Sequence, residues 1–338
     1  MARRGGWRRI GSRRHFRYED GRGRRITDAA QLERIESLAI PPAWKDVRIS
    51  PRPYAKLQAT GVDSAGRMQY LYHPAFRAQR EKEKYGKLIR FAERLPELRA
   101  VMADHLEGDE FTWEWTSALA VRLINLGWFR VGSERYAKTY RTFGITTLKK
   151  RHVTVRGSRV AFKYRGKQRI LVRTAVVDAE LATAMRSLLA LEGGAQLFRY
   201  RSGEDTFNLT ARKLNEYIQE HMGDEFTGKD FRTWGGTLTA AISLAEHGVC
   251  ETEIEARRVV ASVMRRVGEK LGNTAAVARS SYVSPAVVEQ YLDGRTIDDF
   301  RPRHLRVVRA RDIELEPEER ALLSLLRSWR IRESQAAA

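Results

Sequence analysis

A single cysteine, Cys250, stands in 338 residues, which excludes an internal disulfide and a cysteine-rich zinc site. A lone thiol fits a reducing compartment. The seven histidines include no HExxH pair, so zincin-type metal chemistry has no support. No GxxxxGK(S/T) loop is present, which counts against an ATP-driven P-loop machine. No apolar run approaches the roughly 18–20 residues needed to cross a bilayer. Nothing after the arginine-rich start resembles the apolar region of a signal peptide. A cytoplasmic protein with no membrane partner is expected. Acidic residues are also in deficit, with 42 Asp and Glu against 62 Lys and Arg.

That imbalance gives a formal net charge of +20 and a sequence pI of about 10.3. Hydrophobic residues still make up 42% of the chain, and the mean hydropathy is −0.50. The acids remain numerous, so the chain reads as a folded protein with a basic face rather than a polycationic tail. The partner such a face suits first is nucleic acid. The length allows two domains, each with its own core.

Residues 1–25 hold ten arginines among glycines. Too few apolar residues are present to order most of this stretch, so a basic arm able to track phosphates is expected, flexible over 1–15. A small domain follows over 16–98. Asp28 and Gln31 form a helix start, with Leu32, Ile35 and Leu38 on one face. Strands are expected at 46–50 and 56–60, and another around Arg67–His73. There Gln69, Leu71 and His73 share one face, and Met68, Tyr70 and Tyr72 the other. Beside Arg67 that aromatic face suits DNA contact, and core packing of Tyr70 and Tyr72 is the competing reading. A charged helix over 75–95 leads to the boundary.

The second domain, 99–300, opens with a helix over 111–126 and another starting at Phe129–Gly132. Three strands are expected at 152–156, 159–164 and 169–172, with Lys167 near a hairpin tip. Helices follow at 178–191, 210–221 and 237–247. Thr252 and Glu255 start one whose Ala256, Val260, Val263, Val267 and Leu271 step at helical spacing until Gly272 stops it. Ser284-Pro285 begins a further helix. Residues 301–338 read as a charged tail with one helical piece. The expected class is α+β, with a β-rich N-terminal unit and a larger, mainly helical unit holding a three-stranded sheet.

Between Gly272 and Ser284 lies a polar, mobile-looking segment ending on Tyr282, a tyrosine no apolar periodicity claims. A phenol attacks phosphate poorly until cations lower its pKa and neutralise the target. Arg130 and Arg232 can clamp nonbridging oxygens with fork geometry. Lys167 on a turn can deliver a proton to a leaving oxygen. Asn273 can donate a hydrogen bond without titrating. Taken singly, each residue has a structural reading: paired arginines, a solvated turn lysine, a helix cap, a half-buried tyrosine.

In order along the chain stand Phe129-Arg130-Val131-Gly132, Gly144-Ile-Thr-Thr-Leu-Lys149, Tyr164-Arg-Gly-Lys167, Lys229-Asp-Phe-Arg232-Thr-Trp-Gly235 and Leu271-Gly-Asn273-Thr274 with Tyr282 nine residues after Asn273. Together with Gly66–Tyr72 this set resembles the type IB DNA topoisomerases, the small poxvirus-like class in its bacterial branch, over about residues 16–296. The resemblance implies that Tyr282 attacks the scissile phosphate to form a 3′-phosphotyrosyl link. It implies that Arg130 and Arg232 stabilise the transition state and that Lys167 protonates the leaving 5′-oxygen. Asn273 stands where many relatives have histidine, which implies hydrogen bonding to phosphate rather than proton carriage. Gln69, Tyr70, Tyr72 and Tyr136 are implied DNA contacts, with Arg67 and Lys229 counted beside them. The family closes as a monomer around duplex DNA and needs neither ATP nor an obligatory metal, so no cofactor is expected and a nucleoid-associated location is. Tyrosine recombinases share the chemistry but usually carry histidine three residues before the second arginine, where this chain has Lys229. A non-catalytic DNA-binding protein with the same basic face is the reading from a different class.

Overall fold

The computed structural model describes residues 6–12, 15–301 and 313–336. Two compact units divide it, Met1–Gly86 and Lys87–Ala338.

In the first unit an antiparallel sheet has the strand order β2-β1-β3-β4-β5. Its strands are β1 (Trp7–Ser12), β2 (His15–Glu19), β3 (Lys45–Ile49), β4 (Leu57–Val62) and β5 (Met68–Tyr72), with helix α1 (Ala29–Ser37) between β2 and β3. Trp7, Ile26, Ile35, Val47, Ile49 and Ala59 form the core, joined by Leu32, Leu38 and Leu71. Asp28 caps α1 by accepting the Gln31 backbone N–H at 2.9 Å, and the expected apolar face of α1 turns inward. The expectation of a flexible arm fails for residues 7–12, which are β1. Trp7 enters the core, and the Arg9 guanidinium donates to the carbonyls of Pro41 (3.2 Å) and Trp44 (2.6 Å). Arg9 also lies 4.2 Å over the Phe16 ring. Arginines that read as a polyelectrolyte are here satisfying loop carbonyls and covering an aromatic ring. Residues 1–5 and 13–14 of the expected arm lie outside the described residues.

The chain continues into α2 (Pro74–Glu107), a longer helix than expected that carries Pro96 inside it. The division between the units falls within α2, before the boundary expected near 98. Next come α3 (Trp113–Gly127) and α4 (Glu134–Tyr140). An antiparallel sheet follows in the order β6 (Val153–Arg156), β7 (Arg159–Arg165), β8 (Leu171–Val177). After α5 (Ala179–Ala190), β9 (Arg199–Ser202) and β10 (Asp205–Asn208) make a hairpin that was not expected. The remaining helices are α6 (Ala211–Met222), α7 (Gly228–His247), α8 (Glu253–Leu271), α9 (Ala275–Ser281), α10 (Pro285–Leu292) and α11 (Pro317–Ala336).

Three expectations in this unit need correction. Arg130 does not open a helix; it lies in the extended connection between α3 and α4. Helix α7 begins at Gly228 rather than near 237, because Asp230 accepts from the Thr227 backbone N–H (2.8 Å) and hydroxyl (3.0 Å) and so caps a helix start well before the glycine pair. The segment before Tyr282 is not a mobile loop but α9, started by Thr274, whose hydroxyl accepts the Val277 N–H at 3.3 Å. The helical piece expected in the charged tail, around 317–329, is α11, and its Ala321, Leu322, Leu325 and Leu326 are buried. Residues 302–312 lie outside the described residues.

Candidate active site

The site is built where α7, the end of α8 and α9 meet the connection after α3. Helix α8 stops at Gly272, whose φ of 61° is a left-handed geometry that glycine adopts without Cβ strain. The chain reverses there, runs through Asn273 into α9, and delivers Tyr282 at the C-terminal end of α9. Tyr282 is anchored by its backbone: the Thr237 hydroxyl on α7 donates to its carbonyl at 3.2 Å and accepts the Ser284 N–H at 3.1 Å. A Cβ on Gly236 would sit 2.7 Å from the Tyr282 carbonyl oxygen, so α7 can approach this closely only with glycine at that position. The Gly235-Gly236 pair is a packing device rather than a helix breaker.

Arg232 points from α7 into this junction and is only 5% exposed. Its Nη1 donates to the Trp128 carbonyl and its Nη2 to the Leu271 carbonyl, the latter at 2.8 Å. Trp128 presents that carbonyl because it ends α3 in a left-handed conformation, φ 49°. The guanidinium carbon of Arg232 lies 5.1 Å from the Tyr282 ring centroid. Arg130 donates from Nη2 to the Gly272 carbonyl (2.9 Å) and to Asn273 Oδ1 (3.0 Å). Asn273 Nδ2 in turn donates to the Leu271 carbonyl at 3.2 Å. All these acceptors are neutral. Among the described residues no carboxylate pairs with Arg130 or Arg232.

Two guanidinium groups, Arg232 buried and Arg130 half-buried, are therefore held within electrostatic reach of each other without a carboxylate partner among the described residues. Burial, then the like charge of Arg232, keeps Arg130 below its ordinary value, with Tyr282 and Tyr164 opposing. Burial would push the Tyr282 phenol up. Arg232, by charge and by hydrogen bonding toward the phenol, with Arg130 and Lys229, outweighs that and brings it below its ordinary 10.0. The arrangement can hold a phenolate beside an anion.

The structure thus brings Tyr282, Arg232, Arg130 and Asn273 together, with exposed Lys229 within electrostatic reach. It does not bring Lys167 to them. Lys167 sits in the exposed turn Lys167–Arg169 between β7 and β8, and among the described residues no hydrogen bond or ion pair holds its side chain. Gln168 and Arg169 in that turn have φ of 59° and 61°, a conformation costing roughly 1–2 kcal/mol per residue without glycine. Sequence reasoning assigned no role to Tyr164. It is 6% exposed, feels the charges of both arginines, and burial pushes its phenol up to about 12. Its place two residues before Gly166 on β7 was visible, but not its inward direction.

Around this junction the surface is cationic. A cavity of about 1010 Å³ beside α4 is lined by Lys138, Arg141, Lys149, Arg151, Lys163 and Arg165. None of these six is in an ion pair among the described residues. Tyr136, on α4, is 41% exposed with its ring centroid 5.5 Å from that of Tyr140. In the first unit, Tyr70 and Tyr72 stack outward on β5 at 6.3 Å, both exposed, which disposes of core packing. Arg67 and Gln69 both bind Asp63, each at 2.8 Å, on the same turn. Among the described residues no group of three or more His, Cys, Asp or Glu is spaced to hold a metal ion, and no helix is long and apolar enough to cross a membrane.

Residues 73–298 match the family described as eukaryotic DNA topoisomerase I, catalytic core, and residues 15–63 match the bacterial DNA topoisomerase IB N-terminal domain. The chain belongs to the type IB DNA topoisomerases. It is 32% identical over 268 residues to DNA topoisomerase 1B of Acanthamoeba polyphaga mimivirus, covering 77% of this chain and 80% of the viral one. It is 20% identical over 276 residues to DNA topoisomerase 1B of vaccinia virus (strain Copenhagen), covering 80% and 85%. DNA topoisomerase 1 of rabbit fibroma virus is 23% identical over 281 residues, covering 80% and 84%. Both matched families fall on the α+β architecture expected from the sequence, and the type IB matches together span the junction that holds Tyr282. Helix α11 lies beyond the matched catalytic core.

Proposed function

We propose that this type IB topoisomerase relaxes supercoiled duplex DNA by cutting one strand through Tyr282. The observation that carries the reading is a phenol of lowered pKa beside two arginines that have only neutral partners. Such a cluster is unfavourable while empty and is relieved when a phosphodiester enters. The Tyr282 oxygen attacks phosphorus, the P–O5′ bond breaks, and a 3′-phosphotyrosyl link remains. Arg130 and Arg232 take the charge that builds on the nonbridging oxygens. Asn273 holds Arg130 by its amide oxygen and keeps a second amide hydrogen for the phosphate. Lys167, brought in when DNA orders its turn, protonates the departing 5′-oxygen. The cut strand swivels, and the same 5′-hydroxyl attacks the phosphotyrosyl link to reseal the strand.

Arg67, Gln69, Tyr70 and Tyr72 contact DNA from the first unit, and Tyr136, Lys229 and the unpaired cations beside α4 do so from the second. The protein acts as a monomer closing on duplex DNA, at the nucleoid in the cytoplasm, without ATP or an obligatory metal. The test is to incubate plasmid DNA with the protein in EDTA without ATP and stop the reaction with detergent. A protein–DNA adduct at a 3′ end, carried on the peptide containing Tyr282, supports the reading. An adduct at a 5′ end, or on another residue, sinks it.

A further inference from the structure

Glu319, in the first turn of α11, is a carboxylate only 5% exposed. Four donors reach it. Arg99 Nη1 and Nη2 approach its two oxygens at 2.9 Å each, as a fork, and the Trp234 indole N–H donates at 3.1 Å. The Glu316 backbone N–H supplies the fourth at 3.0 Å. A buried ion pair adds little net stability over apolar side chains of the same volume. What a satisfied fork does add is a fixed geometry between the elements that carry it. Here those elements are α2, α7 and α11.

Trp234 is two residues from Arg232 on the same helix. Helix α11 also grips the far side of the junction. Gln290, fully buried on α10, donates to the Leu325 carbonyl at 2.9 Å, and the Trp329 indole donates to Glu289 at 2.8 Å. Helix α10 begins three residues after Tyr282. One helix outside the matched catalytic core therefore holds both the helix bearing Arg232 and the helix following the phenol. The fit between these parts has no slack. A Cβ at Gly235 would lie 2.2 Å from the Trp128 indole, and Arg232 itself hangs on the Trp128 and Leu271 carbonyls.

We propose that α11 is an intramolecular clasp and that Glu319 is its positioning residue, acting through Trp234 to set Arg232 against Tyr282. The proposal rests on the reading of Arg232 and Tyr282 as the cleavage pair. Displacements near 1 Å cost on the order of 100-fold in rate where geometry is this tight. The phenol is faced by Arg232, Arg130 and Lys229, and Arg232 comes first among the groups that lower its pKa. Loosening α7 therefore shifts the pH profile of cleavage as well as its rate.

The experiment uses the full chain with plasmid DNA, comparing wild type, Trp234→Phe, Glu319→Gln and Tyr282→Phe. Binding, single-turnover adduct formation across pH, and thermal unfolding are measured for each. Expected for both clasp variants are DNA affinity within about twofold of wild type, adduct formation slowed about 10- to 100-fold, and a cleavage midpoint moved to higher pH. Trp234→Phe keeps the Arg99–Glu319 pair, so it carries the test if Glu319→Gln does not fold. Adduct rates within twofold of wild type, or slowing that tracks only the folded fraction with an unmoved pH midpoint, overturn the clasp. If Tyr282→Phe still forms the adduct, the cleavage pair itself is misassigned.

Discussion

Arg232→Met separates what this arginine does for folding from what it does for cleavage. The substitution keeps most of the side-chain volume and removes the charge and both donors. The part-buried Trp128 carbonyl loses its side-chain donor, at about 1–3 kcal/mol, while the Leu271 carbonyl keeps the Asn273 amide. Against that, the fold no longer holds a buried guanidinium that lacks a carboxylate and repels Arg130, a burden of several kcal/mol. The terms oppose, so unfolding free energy is expected to change by less than about 2 kcal/mol. Cleavage has no such offset. Losing one preorganised cationic donor costs about 10²–10³-fold in rate. The phenol also loses the first of the groups holding its pKa down, so the rate climbs at higher pH than in wild type. For this tyrosine, stability from the lowered pKa is present above the unfolded value near 10 and fades as pH falls through the folded one. The assay is single-turnover adduct formation from pH 6 to 10 beside urea unfolding. A rate within threefold of wild type, or an unmoved pH midpoint, refutes the reasoning.

Lys167→Ala is expected to slow cleavage by about 10²–10⁴-fold, the range for a general acid, while unfolding shifts by under about 0.5 kcal/mol because the side chain is exposed and unpaired; equal rates would remove it from the mechanism. Tyr164 has a phenol raised to about 12, so its stabilising effect is whole below pH 10 and is lost as pH rises towards 12. Burial raises Tyr217 and Tyr291 as well, so Tyr164→Phe should reduce the alkaline loss of stability without abolishing it, as read by urea titration at pH 8 and 11. Tyr70→Ala with Tyr72→Ala should weaken DNA binding at least tenfold and leave the unfolding midpoint unchanged, since both rings face outward; filter binding checks this. Binding should weaken steeply between low and physiological salt, and a flat dependence would deny that phosphate contacts dominate.

What was legible in the sequence had local causes. The Thr252 cap, the 3.6-residue steps of α8 and its stop at Gly272 all depend on near neighbours, and the strand alternation at Gln69–Tyr72 likewise needs no distant partner. The set Arg130, Arg232, Asn273 and Tyr282 was readable as an ordered series of motifs, and the structure places those four together. Illegible parts had distant causes. Gly235-Gly236 looks like a break, but its purpose is the approach of Trp128 and Tyr282 from other segments. The arginine-rich start looks unfoldable until Arg9 meets carbonyls more than thirty residues away. Glu319 looks like one more charge in a tail until Arg99, 220 residues earlier, is placed against it.

The central claim is that Tyr282 is the nucleophile of a metal-independent relaxation reaction. Relaxation of negatively supercoiled plasmid in EDTA without ATP, by wild type and by Tyr282→Phe at equal DNA occupancy, tests it most directly. The account predicts complete relaxation by wild type and none by the variant, with binding intact. Relaxation by the variant, or none by either protein while both bind the plasmid, would contradict it.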